Sequence, residues 1–350
     1  MTEMQPININ IPIRKSQRLV IKNMEKLDRF ENLMNIGDSI NISKYLNRKD
    51  DGRALGAVTP INKVLSIVIR TYKWKIPYSF GEFGNDNNSF NHPLGIVTDE
   101  IGQVLYICDS FNHRIQMYKI DGTFIKSWTI QTVQIGVGPT SITMYKDELY
   151  VVSKQNGKII VFDKEGNFIR EWGIRGFGFN ELMNPFGITI YNDMVFITSS
   201  VKIKIFDLNG HFIRSFGSHG EQFDKFCGLT DIIISDIGEI YVCDSRNNRI
   251  QVLDIYGNFL RSLENWIITN KFNYFQVPEF ITISPITNNI FITDYNNVHE
   301  FLQDGTFVKY IDLPKKVKES RCSGITISKC GDMIICDENN HSVYVFPAGY

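Results

Sequence analysis

The chain has 350 residues, 43% of them apolar and 13% aromatic, enough to bury one large core or several small ones. Lys+Arg 37 against Asp+Glu 38 leaves a formal net charge of -1, so attraction to nucleic acid or acidic membrane has to come from a local patch. No stretch approaches the roughly 20 apolar residues of a membrane span and "MTEMQPININIPIRK" lacks a secretory apolar run, so an intracellular, cytoplasmic location is expected.

Residues 1–63 read as an N-terminal extension and linker. Leu19, Met24, Leu27, Phe30 and Leu33/Met34 recur at a spacing near 3.6, which predicts one short helix over about 16–34, and "NRKDDGRALGAVTP" reads as a linker. From residue 64 onward the chain repeats itself. Strand-like runs ending in Asp or Ser recur as "LYICD" (Asp109), "LYVVS" (Ser153), "VFITS" (Ser199), "IYVCD" (Asp244), "IFITD" (Asp294) and "MIICD" (Asp337), 43 to 50 residues apart. A turn glycine followed by an aromatic recurs as well, at Gly122, Gly166, Gly210, Gly257 and Gly305.

Each unit reads as four short strands. An apolar run such as "GIVT" leads through a turn to the "YICD" strand, a polar turn leads to "RIQMYKI", and the glycine turn leads to "TFIKSW". The two inner strands are apolar on both faces, as strands covered on both sides must be. Four such strands per roughly 45 residues predict an all-β fold, a six-bladed β-propeller with four-stranded antiparallel blades over 64–350. The last unit stops after its third strand, "SVYVFP", and the strand at about 67–81, Ile67 to Gly81, is expected to complete blade six. Cys108, Cys243 and Cys336 each precede the repeating Asp and read as buried thiols, with no zinc or disulfide framework.

The stretch from Phe90 to Trp128 carries Pro-x-Gly-Ile, a turn glycine, Tyr-Ile-x-Asp and then Asn-His-Arg-Ile, and "YVCDSRNNRIQVLD" repeats much of it. In that combination the chain resembles the NHL-repeat family from about residue 64 to 350. The resemblance implies a six-bladed propeller that binds proteins or RNA, while some relatives of the same shape are enzymes.

Asp109 with Arg114, and Asp244 with Arg249, recur at one offset and weaken together in the other units. They are expected to be structural, a carboxylate gripping a guanidinium across the turn between the second and third strands. Residues expected at the mouth of the central channel include Asp231 and Glu279 on adjacent blades. Two carboxylates are a poor cage for a calcium-like cation, so no metal and no cofactor are expected and these two remain weak candidates. Charge divides by face. Turns between strands one and two and between three and four are acidic. The second-to-third turns and the links between blades carry His113, Lys154, Arg175, Lys202, Lys225, Arg246, Lys271, Lys315, Lys316, Lys318 and Arg321, interleaved with Phe111, Phe177, Phe179 and other aromatics.

Three functions follow. The first is a non-catalytic interaction module that binds a protein or peptide on the loop-rich, basic and aromatic face. The second is single-stranded RNA binding on that face, as in tripartite-motif NHL proteins. The third is a propeller hydrolase or lyase with a cation at the channel mouth. The absence of Cys from residues 1–63 argues against a RING finger there.

Overall fold

The computed structural model describes residues 77–99, 101–130, 137–263 and 275–348, all within the compact unit Arg70–Tyr350. The N-terminal extension with its expected helix, residues 67–76 of the expected closing strand, and Lys271 lie outside the described residues. Among the described residues no helix is long and apolar enough to cross a membrane.

Runs such as Val104–Asp109 and Ile240–Asp244 are rich in β-branched and aromatic residues, and they form strands. The strands assemble into six four-stranded antiparallel sheets. Blade 1 runs Pro93–Thr98, Val104–Asp109, Arg114–Lys119 and Phe124–Thr129, each strand bonded to the next in the chain. Blades 2 to 5 repeat this order from inner strands that start at Pro139, Pro185, Leu229 and Pro278. Blade 6 takes three strands from Cys322–Phe346 and its outer strand from Tyr78–Phe80, where Tyr78 lies opposite Val345 and Phe80 opposite Val343. The ring is thus fastened by pairing the two ends of the propeller, and the third strand of blade 6 has no bare edge there.

Core clusters sit between blades, which is why the inner strands are apolar on both faces. Tyr106, Cys108 and Ile115 of blade 1 pack against Ile142, Leu149, Val151 and Phe162 of blade 2. The thiols of Cys108, Cys243 and Cys336 are buried here, which pushes their pKa values up, and all six cysteines are free. At the axis the inner strands nearly touch. A Cβ on Gly95 would lie 2.6 Å from the Ser141 Cα and one on Gly324 2.1 Å from the Leu94 carbonyl oxygen, so the glycine of Pro-x-Gly-Ile is a demand of close approach.

The turn glycines have a second role beyond their positive φ. Gly122, Gly166, Gly210 and Gly257 press against Phe80, Trp128, Trp172 and Phe216, each an aromatic at or next to the end of the outer strand of the preceding blade. On the same side a basic residue of that outer strand reaches the next blade. Arg170 donates to the Leu208 carbonyl (3.0 Å), Arg214 to those of Ile255 (2.5 Å) and Tyr256 (3.1 Å), Lys126 to Glu165 and Arg261 to Gln303. The repeat therefore encodes blade-to-blade contacts as much as blades.

Candidate binding face

On the loop-rich side, Asp109 and Asp244 end their strands fully buried. Arg114 Nε donates to Asp109 Oδ2 at 2.7 Å, and Arg249 Nε to Asp244 Oδ2 at 2.8 Å. Only one bond joins each pair. The terminal guanidinium nitrogens turn instead to the link that enters the blade: Arg114 grips the carbonyls of Asn85, Asp86 and Ser89, and Arg249 those of Glu221, Gln222 and Lys225. Blade 3 has no arginine at this place. Lys202 occupies it and is exposed, while Lys204, two residues on, is buried and holds the link by the Gly178 and Glu181 carbonyls (both 2.5 Å). His113 and His341 share a repeat position because each ends its turn in the left-handed region (φ 51° and 52°). Asn248 fills the equivalent place in blade 4 (φ 53°).

The expected basic cluster of the link into blade 6 is largely neutralised. Pro314 leads into a short helix, Lys315–Lys318, pinned by the fully buried Val317. Val317 thereby draws the loop inward. Lys315 pairs with Glu319 (3.6 Å), Lys318 with Asp312 (2.6 Å) and Arg321 with Glu279 (2.8 Å) and Glu338 (3.2 Å). Lys316 is exposed. Arg175 is exposed in the link into blade 3, and Lys225 is half-buried beside the carbonyl that Arg249 holds. The links also carry aromatics away from the mouth, because their middle portions are tied to third strands. Phe179 packs on Phe212 and Phe223 stacks on Phe259 at 4.3 Å, each at the start of an outer strand.

What remains at the mouth is a fixed network. The residue after each repeating Asp or Ser is Ser110, Lys154, Ser200, Ser245, Tyr295 and Glu338, and Lys154 is the one cation among them. Its Nζ lies 4.8 Å from the centre of the Phe186 ring, which in turn meets Phe280 at 5.4 Å. Burial pushes the Lys154 pKa down. Glu279 is gripped by both Arg321 Nη2 and Nε; burial raises its pKa against that pairing. Asp231 accepts the Ile281 N–H (3.2 Å) and burial raises its carboxyl to about 7. Asp231 and Glu279 thus have separate partners. Among the described residues no group of three or more His, Cys, Asp or Glu could hold a metal.

From Glu338 the network continues outward along a row of rings. His92 Nδ1 lies 3.4 Å from Glu338 Oε1, and the His92 backbone N–H donates to His341 Nδ1 at 3.1 Å. That bond leaves the His341 proton on Nε2, and burial followed by His92 pushes the His341 pKa down. Phe83, His341, His92 and Phe111 follow one another at centroid distances of 4.8, 4.9 and 4.6 Å. The two ends of the row stand in solvent, Phe83 at 69% and Phe111 at 42% exposure. Neither the row nor Lys204 was found from the sequence. The place of Lys154 and Glu338 was readable there as the position after the repeating Asp.

Residues 226–253 match the NHL repeat, and residues 120–205 match a family model described as a six-bladed β-propeller. The chain is a six-bladed β-propeller that carries an NHL repeat in blade 4. Among solved structures, this propeller is similar to streptogramin B lyase (15% identity, 77% of this chain and 96% of that one, TM-score 0.54). It is similar as well to an inactive virginiamycin B lyase from Staphylococcus aureus with quinupristin (14%, 77% and 98%, 0.55) and to a chain of a nidogen/laminin complex (19%, 68% and 85%, 0.53). At these identities the likeness is one of fold. No curated protein matches the chain significantly.

Proposed function

We propose that the NHL propeller binds a protein or peptide segment on its loop-rich face and catalyses no reaction there. The observation that carries this reading is the row Phe83, His341, His92 and Phe111, with exposed phenylalanines at both ends and a charged network behind it. Rigid aromatic side chains held in place before a partner arrives lose little entropy on binding and are typical anchors of protein interfaces. On the opposite face the exposed Ile101, Ile237, Tyr256 and Ile286 come singly from separate turns, as scattered surface residues do.

The alternative partner, single-stranded RNA, needs unpaired cations along a backbone track. Arg114, Arg249, Lys315, Lys318 and Arg321 all have acidic partners, and Glu279 and Glu338 stand at the mouth itself. A lyase or hydrolase reading has the likeness to lyases in its favour, at identities that speak for the fold alone. The test is capture from the native source with wild-type protein and with Phe83→Ser/Phe111→Ser, read for both protein and RNA. The reading expects a discrete protein set that the double substitution removes without lowering Tm. RNA capture that survives the substitution and falls steeply with salt would refute it.

A further inference from the structure

Resting on that reading of the face, we propose that Lys154, assisted by Arg246, receives a carboxylate of the bound peptide at the mouth of the axial channel. The Lys154 ammonium sits over the Phe186 ring, largely withdrawn from water, and among the described residues no carboxylate lies within ion-pair distance of it. A buried charge without a hydrogen-bonded counter-ion is costly, and a cation–π contact offsets only part of that cost. The two acids close enough to act on it, Glu279 and Glu338, are both held by Arg321, and Glu338 faces His92 as well.

Arg246 is the second cation of this site. It projects from the second-to-third turn of blade 4, exposed, with its aliphatic stem against Gly228, and its charge is felt at Lys154. It too has no ion-pair partner among the described residues. Lys154 comes from blade 2 and Arg246 from blade 4, with Phe186 of blade 3 and Phe280 of blade 5 behind them. One anionic group placed there would complete Lys154, gain a forked donor from Arg246, and lay its aliphatic part on Phe186.

The charge balance selects a monoanion. Glu279 and Glu338 belong to the same network, so a chain of phosphates would meet two carboxylates for every pair of free cations. A single carboxylate, either an acidic side chain or a chain terminus, fits without that repulsion.

Three pools of mixed-sequence fluorescent hexapeptides test this, each with a fixed Phe to engage the aromatic row. One has an adjacent Glu and an amidated terminus, the second Gln in place of Glu, and the third Gln with a free C-terminal carboxylate. Wild type should bind the better of the two carboxylate pools at least about tenfold more tightly than the neutral pool, since a charge-assisted contact to a desolvated cation exceeds about 1.4 kcal/mol. Which carboxylate pool wins identifies the source. Lys154→Met keeps the packing on Phe186 and should erase the preference while binding the neutral pool as wild type does. Arg246→Gln should reduce the preference severalfold.

Equal binding of all three pools by wild type overturns the carboxylate proposal and leaves peptide binding on this face intact. Binding of no pool overturns both. Retained discrimination in Lys154→Met overturns the assignment to Lys154. Should polyuridine bind wild type and lose affinity in Lys154→Met while no peptide pool binds, the site takes phosphate and the proposal fails.

Discussion

Arg249 places its Nε 2.8 Å from Oδ2 of the fully buried Asp244 and turns both terminal nitrogens away, onto the carbonyls of Glu221, Gln222 and Lys225. One side chain thereby joins the end of a strand, the turn that follows and the link from the previous blade. Arg249→Ala strands the carboxylate and loosens the link, so it should cost about 3 kcal/mol by chemical denaturation. Arg249→Lys should recover only part of this, because an ammonium cannot serve the carboxylate and two carbonyl directions in one plane. An alanine variant of wild-type stability would show the pair to be incidental.

The turn glycines offer a ranking. A Cβ on Gly166 (φ +81°) would lie 2.6 Å from the Trp128 ring, whereas on Gly305 (φ +96°) it would lie 3.4 Å from Leu263. Both substitutions strain the backbone, and only the first also collides with a ring wedged between blades. Gly166→Ala should cost about 3 kcal/mol and Gly305→Ala about 1 kcal/mol. Equal losses would mean that backbone conformation alone explains these glycines.

Ring closure predicts an asymmetry between two truncations. A chain beginning at Pro77 keeps Tyr78–Phe80 and its pairing with Ser342–Phe346; a chain beginning at Glu82 loses it and bares a strand edge. Phe80 also covers Gly122 and packs tilted on Tyr118 at 4.8 Å. The shorter chain should aggregate or melt at least about 10 °C below the longer one. Identical melting would remove the closing role from this strand.

Asp231 gives a pH dependence of defined sign. Burial holds its carboxyl up to about 7 against an ordinary value of 3.8, so between those values the folded chain keeps a proton that the unfolded chain has released. Its contribution is complete below the ordinary value and is lost as pH rises through about 7. Relative to Asp231→Asn, wild type should lose on the order of 1–4 kcal/mol from about pH 4 to pH 8. Parallel stability profiles would place the carboxylate in a solvated site.

The blade count, strand order and turn glycines were legible because each is a local pattern repeated along the chain. Contacts between units were harder to see. Trp128 and Gly166 each stand in a repeating position, yet nothing in either unit alone says that one packs on the other. Lys204 stands at the same five-residue offset from Ser199 as Arg114 from Asp109, but a turn two residues shorter carries it two places further along its strand, which the offset alone does not tell. The "PKKVKESR" link reads as a basic run because Asp312, Glu279 and Glu338 approach it through the fold, the last two from other strands or turns. Charge read from sequence counts ions, and the fold decides which of them are already paired.

The central claim, that the loop-rich face engages a polypeptide, is tested most directly by a photo-crosslinking residue in place of Phe111, with a matched substitution at the exposed Tyr256 on the opposite face. Irradiation in the native cell should yield discrete protein adducts from position 111 and none above background from position 256. Adducts from position 256 alone, or nucleic acid in place of protein at position 111, would contradict the account.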